Sequence, residues 1–375
     1  MRVRCLTALK KLAPYADDWE RLAEGMPFRS WTWLQHWWRH YGPQDNDAAR
    51  QRLAVLCVFD ARTLVGIAPW YYEYSAIRGR TLRPLGSGEV CSDYLGVLCQ
   101  PGREEAVAGT LTDYLVTNAQ DDDPDALHWD LLQLDGVDAE DHVMSLLAHC
   151  LAISGCSVHR RAGMNCWRLD LPADWDAYVE SLSKNLRRDV RRLERDLLDT
   201  GRAVLHAVER LEELPHAMDI LVDLHQRRRN MLGENGCFDS ERFLGFYRDV
   251  VPDLLRNGRL HLFWLELDGK PVAAEFQLAG GGVLYAYQAG VDPEALQYQP
   301  GKLLYMSVLR RAIEGGYRAF DFLRGDEPYK ARFGARPRPS VEYRVAPSRA
   351  VAQLRHNLWL AGSNVKDWVK KGIRN

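Results

Sequence analysis

The chain has 375 residues, of which 46% are hydrophobic and 27% charged, with a net charge of −2 and a pI of about 6.6. This length exceeds what one hydrophobic core usually serves, so two domains are expected. The near-neutral balance excludes a global field of the kind that draws proteins to nucleic acid, so DNA is not an expected partner, although local basic patches can still bind anions.

The eight cysteines show neither a CxxC pair nor the spacing of a zinc finger, so no metal site is expected. They are read as free thiols in a reducing compartment. The N-terminus has no apolar stretch typical of a signal peptide. No uncharged run approaches the roughly 20 residues of a membrane span, so no integral membrane contact is predicted. These features predict a cytoplasmic protein.

The first part of the chain alternates strand and helix patterns. Strands are predicted at 3–9, at 52–75 as two strands joined near 60–62, and at 81–87, 93–99, 129–137, 156–163 and 166–171. Helices are predicted at 14–26, 31–42, 103–119 and 139–155. The helix at 31–42, WTWLQHWWRHYG, carries its aromatic residues at helical spacing. Core packing or a domain contact is favoured for it over a sugar-binding platform, and His36 and His40 are read as structural.

The second part begins with one long predicted helix at 174–201 and then repeats the same element types. The remaining predicted helices are 214–232, 239–258 and 300–316, and the strands are 203–209, three antiparallel strands within 260–293, 318–323 and 340–347. Hairpin-linked strands followed by a helix predict a mixed, largely antiparallel sheet flanked by helices, that is, an α/β fold of the α+β kind. Residues 350–375 predict a basic amphipathic helical tail that packs on its own domain rather than on a membrane surface.

The helix predicted at 300–316 begins with Pro300 and Gly301, next to Lys302. The free N–H groups of a helix start beside a lysine suit a phosphate or pyrophosphate group. Most helix starts bind nothing, however, and no GxGxxG or GxxxxGKS motif is present, so a Rossmann or P-loop cofactor is not expected.

A charged turn follows the strand predicted at 318–323. Asp326 and Glu327 are candidates for a general base or for positioning an amine, and Lys330 is a candidate for holding an anionic group. The alternative is an exposed turn with surface ion pairs, each of which contributes little stability.

Residues 285–335 contain GVDP, YQPGKLL and FDFLRGDEPYK, and this segment resembles the hallmark region of the CelD-like (Acetyltransf_6) branch of the GNAT acyltransferase superfamily. The helical segment 181–201, SLSKNLRRDVRRLERDLLDTG, is similar to one that this branch shares with the Fem peptidyltransferases. The aromatic segment 28–42 is similar to a helix near the N-terminus of the same proteins. The resemblance covers residues 25 to 345 and leaves the tail unexplained.

The resemblance implies tandem GNAT-like domains, with a degenerate domain at 1–170, a domain with the acyl-transfer site at 171–346, and the tail at 347–375. It also implies acyl-CoA as co-substrate, bound between the strand near 285–290 and the following helix start. The residues expected to contact it are Gln288, Gln299, Gly301, Lys302 and Leu303. One departure is that Leu303 stands where the usual pyrophosphate-binding signature has a second small residue.

Amine acylation needs a proton acceptor and a proton donor. Asp326 is predicted as the base, with Glu275 and Glu327 as competitors, although Glu275 in mid-strand is also explained as an outward polar residue. Tyr287 is predicted as the acid or as part of the acyl channel, and Lys330 as the group that holds an anion.

The basic helix within 181–201 is either a solvated charged face or a cradle for an anionic acceptor. Under the second reading the substrate-binding residues are Lys184, Arg188, Arg191, Arg324, Glu327 and Tyr329. The predicted function is transfer of an acyl group, in the first place acetyl, from acyl-CoA to a primary amine of a cell-envelope or polysaccharide precursor, so the partner is a small-molecule or saccharide amine. The alternatives are a Fem-type transferase, which alone would make tRNA a partner, a non-catalytic binding protein of polysaccharide synthesis, and a membrane-associated partner protein.

Overall fold

The structure is a computed structural model that describes residues 1–43, 50–120 and 127–372, with side chains described as far as residue 362. The strands are β1 (Arg2–Leu6), β2 (Gln51–Leu53), β3 (Val55–Asp60), β4 (Thr63–Ala68), β5 (Trp70–Ser75), β6 (Gly79–Pro84), β7 (Leu98–Cys99), β8 (Leu131–Asp138), β9 (Ser157–Ala162), β10 (Cys166–Asp170), β11 (Ala203–Ala207), β12 (Leu260–Leu267), β13 (Lys270–Gly280), β14 (Val283–Val291), β15 (Ala319–Arg324), β16 (Arg336–Arg338) and β17 (Ser340–Ala346).

The α-helices are α1 (Leu9–Leu12), α2 (Ala16–Leu22), α3 (Trp31–Tyr41), α4 (Glu104–Gln120), α5 (His142–Ile153), α6 (Trp175–Ser181), α7 (Lys184–Leu193), α8 (Leu214–Met231), α9 (Glu241–Arg256), α10 (Pro300–Glu314), α11 (Pro328–Arg332) and α12 (Ala350–Gly372). Sheets flanked by helices confirm the predicted mixed α/β class. Among the described residues, no helix combines the length and hydropathy needed to cross a bilayer.

The chain forms two compact units that are each discontinuous in sequence. Unit 1 comprises Met1–Glu24, Tyr41–Gly163 and Ser340–Asn375, and unit 2 comprises Gly25–His40 and Met164–Pro339. This division differs from the predicted boundaries at 170 and 346. The chain leaves unit 1 to form α3 in unit 2 and then returns to unit 1. It enters unit 2 a second time at Met164 and returns to unit 1 with β17.

Packing and strand pairing explain both exchanges. Trp33 of α3 is fully buried, and its ring meets Phe246 edge-on at 4.9 Å and Tyr287 at 5.2 Å, all within unit 2. The prediction that the aromatic helix serves packing is therefore confirmed for Trp33. β17 pairs antiparallel with β8 on one edge and with β9 on the other, so its backbone hydrogen bonds are satisfied within unit 1.

Unit 1 holds a four-stranded sheet, β1-β3-β4-β7, and a six-stranded sheet, β2-β5-β6-β8-β17-β9. Segment 52–75 was predicted as two strands but forms four, because the chain breaks near Ala54 and again at Pro69. The core packs α4 and α5 against buried aliphatic side chains and Trp70 and Trp129. The tail helix α12 belongs to this unit, and the side chains of Lys366, Lys370 and Lys371 lie outside the described part.

Unit 2 is built on a seven-stranded sheet, β11-β12-β13-β14-β15-β10-β16. Alternate residues of β13 face different helices, as the two-residue period of a strand requires. Phe276 packs on Tyr247 of α9, whereas Ala273 joins the core with Leu303 and Leu304 of α10. Glu275 lies two residues from Ala273 and therefore shares the face that α10 covers.

The long helix predicted at 174–201 is interrupted in the structure. Leu182 adopts an extended conformation, and Ser183 then caps α7 by accepting a hydrogen bond from the Leu186 N–H at 3.4 Å. A serine that satisfies the first turn of a new helix favours a restart over continuation. After α7 the chain forms a π-helical turn at Glu194–Leu198. This break sets the direction of α7 toward the candidate site.

Candidate active site

The centre of the unit 2 sheet contains two strands that separate. β14 and β15 run parallel and pair only from Val283 with Ala319 to Tyr285 with Asp321, although β14 continues to Val291. On its other edge β14 pairs with β13 throughout, with a register shift that leaves Tyr287 as the extra residue of a β-bulge. The second half of β14 therefore leaves the backbone groups on this edge without pairing to β15.

A cavity of about 680 Å³ lies beside this part of β14. It is bordered by α7, α8, β14, α10 and the segment of α11, all within unit 2. Its lining residues are Ser183, Asn185, Leu186, Asp189, Arg228, Ala289, Gly290, Val291, Gly301, Lys302, Tyr305, Tyr329, Arg332 and Phe333. Its volume is in the range of ligand sites for small molecules.

The N-terminus of α10 opens into this cavity. Gln299 adopts a left-handed conformation with φ 58°, and the first backbone bond of the helix runs from the Leu303 N–H to the Gln299 carbonyl at 3.0 Å. The N–H groups of Gly301 and Lys302 therefore precede the intrahelical hydrogen bonds of α10. A Cβ at Gly301 would meet only Val291, at 3.5 Å, so the space in front of the helix start is open.

Basic side chains add to the positive end of this helix. Lys302 donates to Asp189 of α7 at 2.7 Å, and this bond holds the pKa of the aspartate below its usual range. Arg228 and Arg332 also line the cavity. Because Asp189 compensates only one of the three cations, the cavity carries a net positive charge and suits an anionic ligand.

Glu275 is a buried carboxyl group on β13, the strand that pairs with β14. Its side chain is 0% exposed, and its strand partner on β14 is Ala289, which lines the cavity. Its Oε2 accepts from Gln277 Nε2 at 3.1 Å, and its Oε1 has no partner among the described residues. Burial raises the pKa of Glu275 to about 8, since the ionised form is poorly solvated there.

Two tyrosines that line the cavity interact electrostatically with Glu275. The hydroxyl groups of Tyr305 and Tyr329 lie 3.3 Å apart, and their rings stack with centroids 5.5 Å apart. Burial raises the pKa of both phenols, to about 12 for Tyr329, and the negative charge of Glu275 raises both further. The carboxyl group of Glu275 therefore interacts electrostatically with two hydroxyl groups at the cavity wall.

The residues predicted to contact the co-substrate fall into two groups. Gly301 and Lys302 line the cavity, and Gln299 is the residue immediately before α10. Leu303 is 0% exposed and packs in the core, so only its backbone is near the helix start. Gln288 pairs with Phe276 and therefore occupies the sheet face opposite to Glu275.

The charged turn after β15 has a structure of its own. The Lys330 ammonium is 2% exposed, donates to the carbonyls of Leu323, Arg324 and Gly325 at 2.7 to 3.1 Å, and pairs with Glu327 at 2.9 Å. A lysine has three N–H groups, and three carbonyls already accept them. The prediction of an anion-holding lysine is therefore corrected, because Lys330 fastens the turn.

Asp326 lies outside the lining of the cavity. It is exposed, and its Oδ1 accepts from Asn165 Nδ2 at 3.0 Å and from Trp167 Nε1 at 2.9 Å. These two hydrogen bonds hold its pKa below the usual range, which weakens it as a proton acceptor. Glu327 is also exposed and serves Lys330. The structure thus favours Glu275 over both as the base.

The remaining predicted residues are spread over several places. Tyr329 lines the cavity, whereas Tyr287 packs among Phe28, Trp33 and Phe276. Arg191 is an exposed partner of Glu180. Lys184 and Arg188 are exposed residues of α7 that do not line the cavity, and half-buried Arg324 does not line it either.

Sequence reasoning missed several residues that line the cavity, namely Ser183, Asn185, Asp189, Arg228, Tyr305 and Arg332. Helical spacing was the available signal. Asn185 and Asp189 are four residues apart on α7, and Tyr305 is four residues after Gly301 on α10, so each pair shares a helix face. Within the described residues, no group of three His, Cys, Asp or Glu side chains is placed to hold a metal ion.

Comparisons with known proteins agree with this geometry. Residues 184–331 match the family described as acetyltransferase (GNAT) domain, which confirms the resemblance for this segment. The matched segment runs from α7 to α11 and contains Glu275, the start of α10 and both tyrosines. No curated protein matches the chain in sequence.

Solved structures share the fold at low sequence identity. FemX superposes with a TM-score of 0.63 at 11% identity, over 94% of this chain and 99% of its own. The C-terminal domain of an Agrobacterium fabrum protein assigned as a lysylphosphatidylglycerol synthetase gives 0.54 at 15% identity, over 93% and 95%. A conserved Bacteroides thetaiotaomicron protein of unknown function gives 0.53 at 14%, over 92% and 100%. The chain is therefore similar in fold to these proteins over nearly their full length.

Proposed function

We propose that unit 2 transfers an acyl group, in the first place acetyl, from acyl-CoA to a primary amine. The match of residues 184–331 supports acyl or aminoacyl transfer in general. The observation that carries the finer proposal is one cavity lined by the N-terminus of α10 and by a tyrosine pair, with the buried carboxyl group of Glu275 interacting electrostatically with both tyrosines behind the cavity wall. An anion site and a proton acceptor at one cavity are what N-acylation needs.

The residues present fit an acyl-CoA donor. The first N–H groups of α10, at Gly301 and Lys302, suit its diphosphate, with the ammonium of Lys302 beside them. The separated half of β14, from Ala289 to Val291, offers an open strand edge for an extended chain. When bound, the donor supplies an activated carbonyl and a thiol leaving group.

Proton movement is assigned to the chain's own groups. An attacking amine loses one proton as its new bond to the carbonyl carbon forms. The carboxylate of Glu275 is assigned as the acceptor of this proton, with the Tyr329 and Tyr305 hydroxyl groups, 3.3 Å apart and in electrostatic interaction with Glu275, as the relay. A proton returned from the same hydroxyl pair to the departing thiolate completes the step. The unpartnered Oε1 of Glu275 gives it the capacity to accept a proton without first breaking a bond.

The acceptor is proposed to be an amine carried by a polar, anionic molecule such as a cell-envelope or polysaccharide precursor. Arg228 and Arg332 provide positive charge at the cavity, and Ser183 and Asn185 provide polar groups. Lys184, Arg188 and Arg191 on the exposed side of α7 are proposed to attract the rest of such a molecule. The charges of the cavity support this acceptor class, since arginine recognises anionic groups well.

The test combines titration calorimetry of acetyl-CoA and longer acyl-CoAs with a Gly301→Leu variant. The added side chain has room in the fold and occupies the space before the helix start, so binding should be lost while the melting temperature is unchanged. Gly109→Leu, on α4 of unit 1 where a Cβ meets nothing within 4 Å, is the matched control and should bind as wild type.

Three results separate the proposal from its rivals. Binding of acyl-CoA that Gly301→Leu abolishes supports it. Transfer that depends on aminoacyl-tRNA, with no affinity for any CoA species, moves the chain to a Fem-type reaction. Binding of neither donor leaves a non-catalytic saccharide-binding role and overturns the proposal.

A further inference from the structure

A second cavity, of about 690 Å³, lies in unit 1 and has no part in the acyl-transfer proposal. It is formed over the outer face of strands β8, β9 and β17, with α12 and the turn between β5 and β6 as its other walls. The side chains that matter most are Arg78, Arg161, Arg344, Arg355 and Trp359. Two acidic residues, Asp135 and Glu342, line the same cavity.

The acidic residues in and around this cavity already form ion pairs with arginines other than Arg78 and Arg344. Glu342 pairs with Arg161, and Asp135 accepts from Arg83 at 3.5 Å. Arg355 donates to Asp130 at 3.3 Å. For the side chains of Arg78 and Arg344 the structure gives no hydrogen bond or ion pair within the described residues. The cavity therefore has two cations in excess.

Arg344 is held firmly in the centre of this group. Its register neighbour on β9 is His159 and on β8 is Gln133, and its guanidinium lies over the ring of Trp359 with 4.4 Å to the centroid. Its Nε is buried and lacks a hydrogen-bond partner in the described part of the chain. Burial, and then the charges of Arg78 and Arg161, lower the pKa of Arg344 to about 10, so it stays charged at neutral pH in an uncompensated positive field.

The same cavity has an apolar rim. Ile77, next to Arg78, is 88% exposed, and Leu358 of α12 is 65% exposed, and both line the cavity. Large aliphatic side chains beside arginines are matched by a ligand with a charged end and an apolar body. The planar guanidinium prefers phosphate oxygens, which it can bind with two parallel hydrogen bonds.

We propose that the unit 1 cavity binds a phosphate group carried on an apolar molecule, with Arg344 and Arg78 on the phosphate and with Ile77 and Leu358 on the apolar part. The phosphate belongs either to a free phosphoester or to a lipid headgroup. This site is separate from the acyl-transfer cavity, and its test does not depend on that function.

Two probes are used with the full chain, inorganic pyrophosphate in calorimetry and phosphatidylcholine vesicles with or without phosphatidic acid in flotation. Wild type is expected to bind pyrophosphate, acid-containing vesicles or both. Arg344→Gln and Arg78→Gln should each weaken binding by about tenfold, the loss expected for one charge-assisted contact. Arg78 is exposed in a turn, so its variant tests the proposal even if Arg344→Gln fails to fold.

Matched controls give the outcomes their meaning. Arg62→Gln, an exposed arginine of unit 1 outside the cavity, should bind within twofold of wild type. Ile77→Ser should weaken vesicle binding and leave pyrophosphate unchanged, whereas Ile153→Ser, at a 73% exposed position elsewhere, should change neither. Vesicle binding identifies a lipid headgroup, and binding of pyrophosphate alone indicates that the phosphate group belongs to a free, water-soluble molecule. Binding of neither probe, equal loss in Arg62→Gln, or loss only in Lys302→Ala would overturn the proposal.

Discussion

The turn after β15 and the strand β13 behind the unit 2 cavity each hold a buried ionisable side chain, and the two side chains differ in their hydrogen bonding. In the turn, Lys330 is 2% exposed and has four partners, three of them backbone carbonyls. On β13, behind the cavity wall, Glu275 is 0% exposed, with one hydrogen-bond partner and one oxygen that has none among the described residues. A buried group whose hydrogen bonds are all satisfied stabilises the fold, whereas a buried group with an unsatisfied oxygen keeps the capacity to exchange a proton. The comparison teaches that density of charge in sequence is a poor guide to where the chemistry lies.

The largest expected effect comes from Glu275→Gln, which keeps the shape of the side chain and removes the proton acceptor. Acyl transfer, measured as release of CoA thiol with a panel of neutral and phosphorylated amino sugars, should fall by about 10² to 10⁴, the range of general-base catalysis. The wild-type rate should rise with pH up to about 8, because the carboxylate is the active form and predominates above its pKa.

The control for this variant is Asp326→Asn. Asp326 is exposed and bonded to Asn165 and Trp167, so its loss should change the rate by less than about threefold. Affinity for acetyl-CoA should be unchanged in both variants. If Asp326→Asn were the slower enzyme, the comparison between the two regions would be reversed.

The second effect is on stability. Lys330→Met should lower the free energy of unfolding by about 3 kcal/mol, since one buried and two partly buried carbonyls lose their donor at once. Thermal and denaturant unfolding measure this loss. Lys184→Met, at an exposed position of α7, is the control and should lie within about 0.5 kcal/mol of wild type. Equal stability of both variants would show that Lys330 does not fasten the turn.

The third effect concerns the anion site. Lys302→Ala removes a cation and also leaves Asp189 unpaired at the cavity, so the Kd for acetyl-CoA should rise by about tenfold. Arg191→Ala, on the exposed side of α7 and paired with Glu180, should leave this Kd within twofold. Calorimetry at constant salt checks both. A stronger effect from Arg191 would move the anion site to the exposed face of α7.

Much of the fold was predictable because it is encoded locally. The periodicity of WTWLQHWWRHYG predicted α3, and the strand pattern within 260–293 predicted the three antiparallel strands β12, β13 and β14. The exchange of α3 and β17 between units was not predictable, since it depends on pairing over more than a hundred residues. The break at Leu182 was missed because the capping role of Ser183 is hidden inside a charged helical pattern.

The candidate site was predictable only in part, and for a physical reason. Gly301 and Lys302 are marked by a helix start, which is a local feature. Glu275 was predicted only as a competitor of Asp326 for the role of base, and an outward polar residue was the alternative explanation. The alternation of side chains along a strand defines two faces but does not tell which face is covered. The packing of α10 determines which face of β13 is buried, and this packing is a tertiary contact that the local sequence does not reveal. Tyr305 was missed for the same reason.

The smallest expected effect tests the burial of Glu275 directly through stability. Its pKa is raised from 4.5 to about 8, so its stabilising contribution is fully present below pH 4.5 and is lost as pH rises toward 8. Glu275→Gln removes this dependence. The melting temperature of the variant relative to wild type should therefore increase by a few degrees between pH 5 and pH 9, and Glu327→Gln, at an exposed position, should show no such trend. A difference that stays constant with pH would mean that Glu275 is solvated and ionised at neutral pH, and the basis for assigning it the proton would be removed.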